Sequence, residues 1–205
     1  MSRKVFKVFM QEKQIETRGQ GHHCFSRRRF LAQGLLVAAS ALIVPHKQVF
    51  AATHSLLAAE KSLSFHNLHT GEDLTTTFWC RGKYQPAALE DINYILRDHR
   101  TGDIKKIDTD LLDLLHTLHT KVGAREPFHV ISGYRSPQTN GMLAKTGGGV
   151  AKNSQHVLGR AIDIRLPDCE LNHLRLAAVD LQGGGVGYYP DSEFIHVDVG
   201  RVRFW

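Results

Sequence analysis

The sequence predicts an α+β fold, with a central antiparallel sheet covered by helices. Three observations predict it. Residues 63–79 alternate loosely around a Thr70-Gly71 break, as a β-hairpin does. Residues 86–122 then carry apolar side chains at helical spacing, and the second half holds short apolar runs of strand length.

Taken in order, the hairpin strands fall near 63–68 and 74–79. Pro86 opens a helix over about 86–100, because a missing N–H costs nothing in a first turn. Leu89, Ile92 and Leu96 share its buried face. A second helix starts near Asp108, where Asp108 or Thr109 can accept the free backbone N–H groups of the first turn. Leu111, Leu115, Leu118 and Val122 form its stripe, and Gly123 stops it. His116 and His119 sit beside that stripe, without an accompanying carboxylate motif that would make them metal ligands. Phe128–Ser132 reads as a strand and residues 133–149 as a loop containing Gly147-Gly148-Gly149. That glycine run lacks the Gly-Lys-Ser/Thr ending of a phosphate-binding loop and reads as a mobile segment near a site. A strand at 160–164, a helix at 170–181 and closing strands at 185–189 and 194–199 complete the domain.

Residues 1–51 are organised differently. They hold 9 Lys/Arg against 2 Asp/Glu, out of 26 and 20 in the whole chain, so the net charge of +6 belongs to this segment and the body is near neutral. No basic stripe with interleaved aromatics appears in the body, which argues against a nucleic-acid partner. Ser26-Arg27-Arg28-Arg29-Phe30-Leu31, an uncharged apolar run to Val44 and the small-residue site Val49-Phe50-Ala51 follow the order of an export signal of the twin-arginine type. The apolar run is shorter than the ~20 residues that span a bilayer, so no stable membrane anchor is expected after cleavage. The expected organisation is therefore a signal at 1–51, a linker at 52–62 and one domain at 63–205, in the periplasm. Cys24 lies in the signal, and Cys80 and Cys169 in the body could pair after export.

Three polar stretches interrupt the apolar pattern. They are Ser132-Gly133-Tyr134-Arg135-Ser136, the run from Ser154 through His156 to Asp163, and Glu193-Phe194-Ile195-His196-Val197-Asp198. Asp163 stands between Ile162 and Ile164, and strand alternation points it away from both. His196 and Asp198 share one face of their strand. A buried carboxylate needs a cation or hydrogen-bonding partners. Two imidazoles and a carboxylate can hold a catalytic zinc with one position left for water, or they can form a buried hydrogen-bonded network.

The pattern Ser154-x-His156-x-x-Gly159-x-Ala161-x-Asp163, followed by His196 on a strand, resembles the zinc D-Ala-D-Ala-type peptidases of the hedgehog/lysostaphin-like metallopeptidase fold. With residues 67–72, 132–136, 183–190 and Trp205, it is similar in particular to the YcbK-like murein endopeptidases, from about residue 64 onward. The resemblance implies one Zn2+ held by His156, Asp163 and His196, and hydrolysis of peptide cross-links in peptidoglycan stem peptides. It implies that Arg135 holds a substrate carboxylate or the developing oxyanion, and Glu193 matches the family's Glu-x-x-His spacing for a general base; Asp198 is the rival base or else a partner that orients a ligand imidazole. Tyr134, Tyr188 and Tyr189 can line the substrate cleft or pack as aromatics in the core. The alternative is a non-catalytic wall-binding protein that keeps the fold.

Overall fold

The structure is a computed structural model that describes residues 60–146, 151 and 153–205. The export signal at 1–51, Cys24, most of the 52–62 linker and the Gly147-Gly148-Gly149 run lie outside the described residues. Among the described residues, no helix is long and apolar enough to cross a membrane.

The elements run β1 (Lys61–Asn67), β2 (Asp73–Cys80), β3 (Lys83–Tyr84), α1 (Pro86–Ile95), α2 (Thr109–Val122), β4 (Phe128–Ser132), α3 (Pro137–Lys145), β5 (Ala161–Arg165), α4 (Leu171–Leu181), β6 (Gly185–Tyr189), β7 (Phe194–Asp198) and β8 (Arg203–Phe204). A 3-10 turn at Gln155–Leu158 precedes β5. β1 begins two residues inside the segment expected to be linker. All strands join one sheet in the order β3-β2-β1-β4-β5-β7-β6-β8.

The sheet is mixed rather than antiparallel throughout. β1 pairs parallel with β4, and β6 parallel with β8. A parallel pair needs a crossover of a dozen or more residues, and the stretch holding α1 and α2 supplies it between β1 and β4. Strand patterning reports which residues face inward, and it carries no information about neighbouring strand direction.

One face of the sheet packs under the helices. Val130, Ile162, Ile164, Ile195 and Val197 meet Ile92 of α1, Leu111, Leu115 and Leu118 of α2, and Leu174 of α4 in a single buried cluster. Burying one such side chain stabilises by roughly 1.5–3 kcal/mol, so this face drives the fold. Asp108 caps α2 by accepting from the Asp110 N–H at 3.1 Å, and Gly123 closes it in a left-handed conformation with φ 66°. Val122 at the end of the expected stripe is only half-buried, and Leu112 is buried in addition.

Two local expectations fail. The first helix stops at Ile95 rather than near 100, because Asp98, which accepts from the Arg100 and Ser136 N–H groups, turns the chain there. Residues 137–145, expected as loop, form α3. Its start signal was present: Ser136 accepts from the Thr139 N–H at 3.2 Å, and Pro137 occupies the first turn. Its buried residues, Thr139 and Asn140, are polar, so it shows no apolar stripe. Cys169 is free, so it does not pair with Cys80. His116 and His119 bond the backbone oxygens of Ser62 and Glu126 and lie edge-on to Phe78 and Phe128, as packing residues do.

Candidate metal centre

The opposite face of β5 and β7 is polar. In their antiparallel register Asp163 stands opposite His196, and Ala161 opposite Asp198. His156 reaches the same point from the 3-10 turn, whose start Ser154 caps by accepting from the His156 N–H at 3.3 Å. All three side chains are buried, His156 to 1%, Asp163 to 4% and His196 to 8% exposure. One donor atom from each lies within 4.8 Å of the other two.

Outer partners fix which nitrogen of each ring faces inward. His156 Nδ1 donates to the Gly133 carbonyl at 2.7 Å, which turns Nε2 toward Asp163 Oδ1 at 3.2 Å. His196 Nε2 donates to Asp198 Oδ2 at 2.9 Å, which turns Nδ1 toward Asp163 Oδ1 at 3.0 Å. The two inward nitrogens are 3.1 Å apart. With their protons committed outward, two lone pairs and a carboxylate oxygen converge on one point. Three acceptors this close repel one another unless a cation stands among them, so the donor set fits a metal ion. The Arg135 guanidinium supplies positive charge at that point, with Nη2 on His156 Nε2 at 3.1 Å and on Asp163 Oδ2, while Nε donates to Ser132 Oγ at 2.9 Å.

The electrostatics follow from the same contacts. Burial alone would raise the Asp163 pKa; where the His156 and His196 rings carry inward protons they outweigh it and hold the carboxyl below its usual range, the role a cation takes when the rings turn lone pairs inward. Burial lowers the His156 pKa and keeps that ring neutral, as a ligand must be. For His196 burial is outweighed by Asp163 and Asp198, and its pKa rises. A ring that attracts a proton between two carboxylates attracts a metal cation for the same reason.

Asp198 is fully committed. Its side chain accepts from His196, from the Gly185 and Gly200 N–H groups at 3.1 and 2.8 Å, and from both Arg203 nitrogens at 2.7 and 3.1 Å. Arg203, which the sequence reading did not single out, thus clamps Asp198 bidentately. Its signal is weak in one dimension, since the clamp exists only because β8 lies beside β6.

A cavity of about 340 Å³ opens over the three donors, lined among others by Arg135, Ser154, Gln155, Tyr189, Phe194 and Trp205. A second, of about 490 Å³, is lined by His129, Arg165, Cys169, Tyr188 and Glu193 and contains none of the donor trio. Glu193 therefore does not join the site. It ends a 3-10 turn with φ 53° and pairs with Arg165 at 3.1 Å. Tyr188 also belongs to the second cavity, because β-strand alternation gives it the opposite face from Gly187 and Tyr189. Tyr134 is buried in the core, with its N–H bonded to the Leu96 carbonyl at 2.8 Å. Of the three candidate cleft tyrosines, only Tyr189 lines the cavity of the donor trio.

A buried His–Asp–His trio under an open cavity defines the class: a candidate mononuclear metallohydrolase site on an α+β domain. The chain belongs to the peptidase family described as Peptidoglycan L,D-endopeptidase MepK, whose model matches residues 56–205. It is 41% identical over 180 residues to the Peptidoglycan L,D-endopeptidase MepK of Escherichia coli strain K12, covering 88% of this chain and 97% of that one. It is 44% identical over 144 residues to the Probable peptidoglycan L,D-endopeptidase MepK of Haemophilus influenzae, covering 70% of this chain and 77% of that one. A solved structure, the Serratia marcescens L-Ala D-Glu endopeptidase ChiX, shares 17% identity over 46% of this chain and 68% of that one, with a TM-score of 0.32.

Proposed function

We propose that the protein is a zinc-dependent murein endopeptidase that hydrolyses L,D peptide bonds in the cross-links of peptidoglycan. The observation that carries this reading is the convergence of His156, Asp163 and His196, with their donor atoms within 4.8 Å of one another on the floor of an open cavity. Family membership and the printed activity of its relatives support it.

His156, Asp163 and His196 would hold the ion. When bound, zinc supplies acidified water near neutral pH and polarises a carbonyl. The chain's own groups do the rest. Gly133 and Asp198 hold the outer protons of the two rings, which keeps both inner lone pairs available. Asp198 acts in this reading as a positioning residue rather than the base, since its oxygens are taken by five donors. Arg135, on the cavity wall, places a fixed guanidinium where a substrate carboxylate or the negative charge of a tetrahedral intermediate can meet it.

Residues 26–51 support export by the twin-arginine machinery and work in the periplasm, with residues 63–205 as the peptidase domain. Replacing Arg27 and Arg28 by Lys should retain the protein in the cytoplasm.

The direct test compares wild type with His156→Ala on purified muropeptides. Cleavage by wild type and none by the variant is the expected result, with one zinc per wild-type molecule. Equal cleavage by both would remove the metal site from the mechanism.

A further inference from the structure

The aromatic wall of the cavity over the donor trio has no task in the proposed hydrolysis. Trp205 follows β8, and its backbone bridges β6: its N–H donates to the Val186 carbonyl at 3.2 Å and its carbonyl accepts from the Tyr188 N–H at 3.0 Å. The indole lies over Gly187, where a Cβ would come within 2.6 Å of Cε2. Only glycine leaves that space. Indole Nε1 donates to the Tyr189 hydroxyl at 2.8 Å, and the Arg203 guanidinium stands 4.9 Å from the ring centroid. The His196 ring is 5.3 Å away.

An exposed apolar residue on its own needs no explanation. Trp205 differs because it is half exposed, at 50%, and yet fixed by a hydrogen bond, a stacked cation and a glycine socket. Core packing does not account for that investment, since Trp205 is absent from the buried cluster and from the hydrophobics packed against it. The fixed ring instead borders the cavity that holds the donor trio. The cavity also carries polar Asn153, Ser154 and Gln155, and Gln155 Oε1 is buried with no hydrogen-bond partner among the described residues. An apolar wall combined with a few polar groups is how a site grips and orients a ligand.

We propose that Trp205 is a specificity-determining residue for the peptidase reaction. Its indole face receives the aliphatic side chain of the peptide residue beside the cleaved bond, and the polar residues take that peptide's backbone groups. The proposal rests on the functional reading above, and its test separates the two.

The sequence has two tryptophans. Trp79, on β2 against Tyr84, is far along the sheet from β6 and can be changed to Phe so that Trp205 alone reports by fluorescence. In Trp79→Phe, titration with a purified disaccharide tetrapeptide should shift the Trp205 emission saturably. In an otherwise native chain, Trp205→Ala should raise KM for a muropeptide dimer about tenfold, with kcat within about threefold, because a wall contact acts on binding more than on chemistry. Trp205→Phe should restore most of the KM and covers the case in which the alanine variant fails to fold. Zinc content should stay at one equivalent in both. An unchanged KM in the folded variants, or an emission unmoved at saturating peptide, overturns the proposal. If wild type cleaves nothing, the functional reading falls, and the emission titration still decides whether a wall peptide lies on Trp205.

Discussion

At their centres the two faces of β5 and β7 are both buried, and they are oppositely built. On one side Ile162, Ile164 and Ile195 have no exposure and Val197 has 1%; on the other, Asp163 has 4%, His196 8% and Asp198 none. The apolar face gains from burial by itself and tolerates imperfect partners. The polar face loses by burial and recovers only through named contacts, so each atom there must be answered by another. Folding and chemistry thus share two strands of five residues each while depending on different kinds of interaction.

Substitutions can separate the two faces. The largest effect should come from Asp163→Ala, which leaves Arg135 and two imidazoles facing an empty place. Zinc should be lost and muropeptide cleavage should fall by more than about 100-fold, since even a residue behind the ligands typically costs 10–100-fold. On the apolar face, Ile164→Ala should cost about 2–5 kcal/mol of stability in chemical denaturation, while the folded fraction keeps its zinc. Loss of zinc at native-like stability would contradict the separation. Asp198→Asn keeps the shape but weakens the hold on His196 Nε2, and zinc affinity in a chelator competition should drop about 10–100-fold.

A buried carboxylate outside the candidate metal centre sharpens the contrast further. Burial alone would raise the Asp98 pKa, but hydrogen bonds from Thr139, Ser136 and Arg100 hold it below the carboxylate range. A folded pKa below the unfolded value of about 3.9 stabilises at higher pH, and that stabilisation is lost as pH falls toward the folded value. Asp98→Asn should therefore lower Tm near neutral pH and flatten the further loss of Tm as pH falls below the unfolded value of about 4. Glu193→Gln should have the smallest effect, with cleavage within about twofold of wild type. Its cavity contains none of the trio, its pairing with Arg165 is at the surface, and exposed pairs contribute little.

Where side chains alternate or repeat along one element, the sequence was a good guide. β4 and β6 occupy the expected residues, Asp108 caps α2, and the inward faces of Asp163, His196 and Asp198 follow from alternation. The relations that escaped it are between elements. The parallel pairing of β1 with β4 depends on a crossover rather than on either strand's pattern. Glu193 matched a spacing three residues before His196, yet the left-handed turn before β7 sends it to another cavity. Tyr134 sits beside Arg135 in sequence and on the other side of the packing. α3 was hidden because its buried face is made of Thr139 and Asn140.

The chain of contacts from His196 through Asp198 to Arg203 places the last support of a proposed metal ligand on a two-residue strand at the margin of the sheet. Margins fray at a lower free-energy cost than interiors. On gentle heating, the ion should therefore escape before the domain melts, and a calorimeter or a zinc-sensitive dye should register two separate events where a single-transition protein would give one.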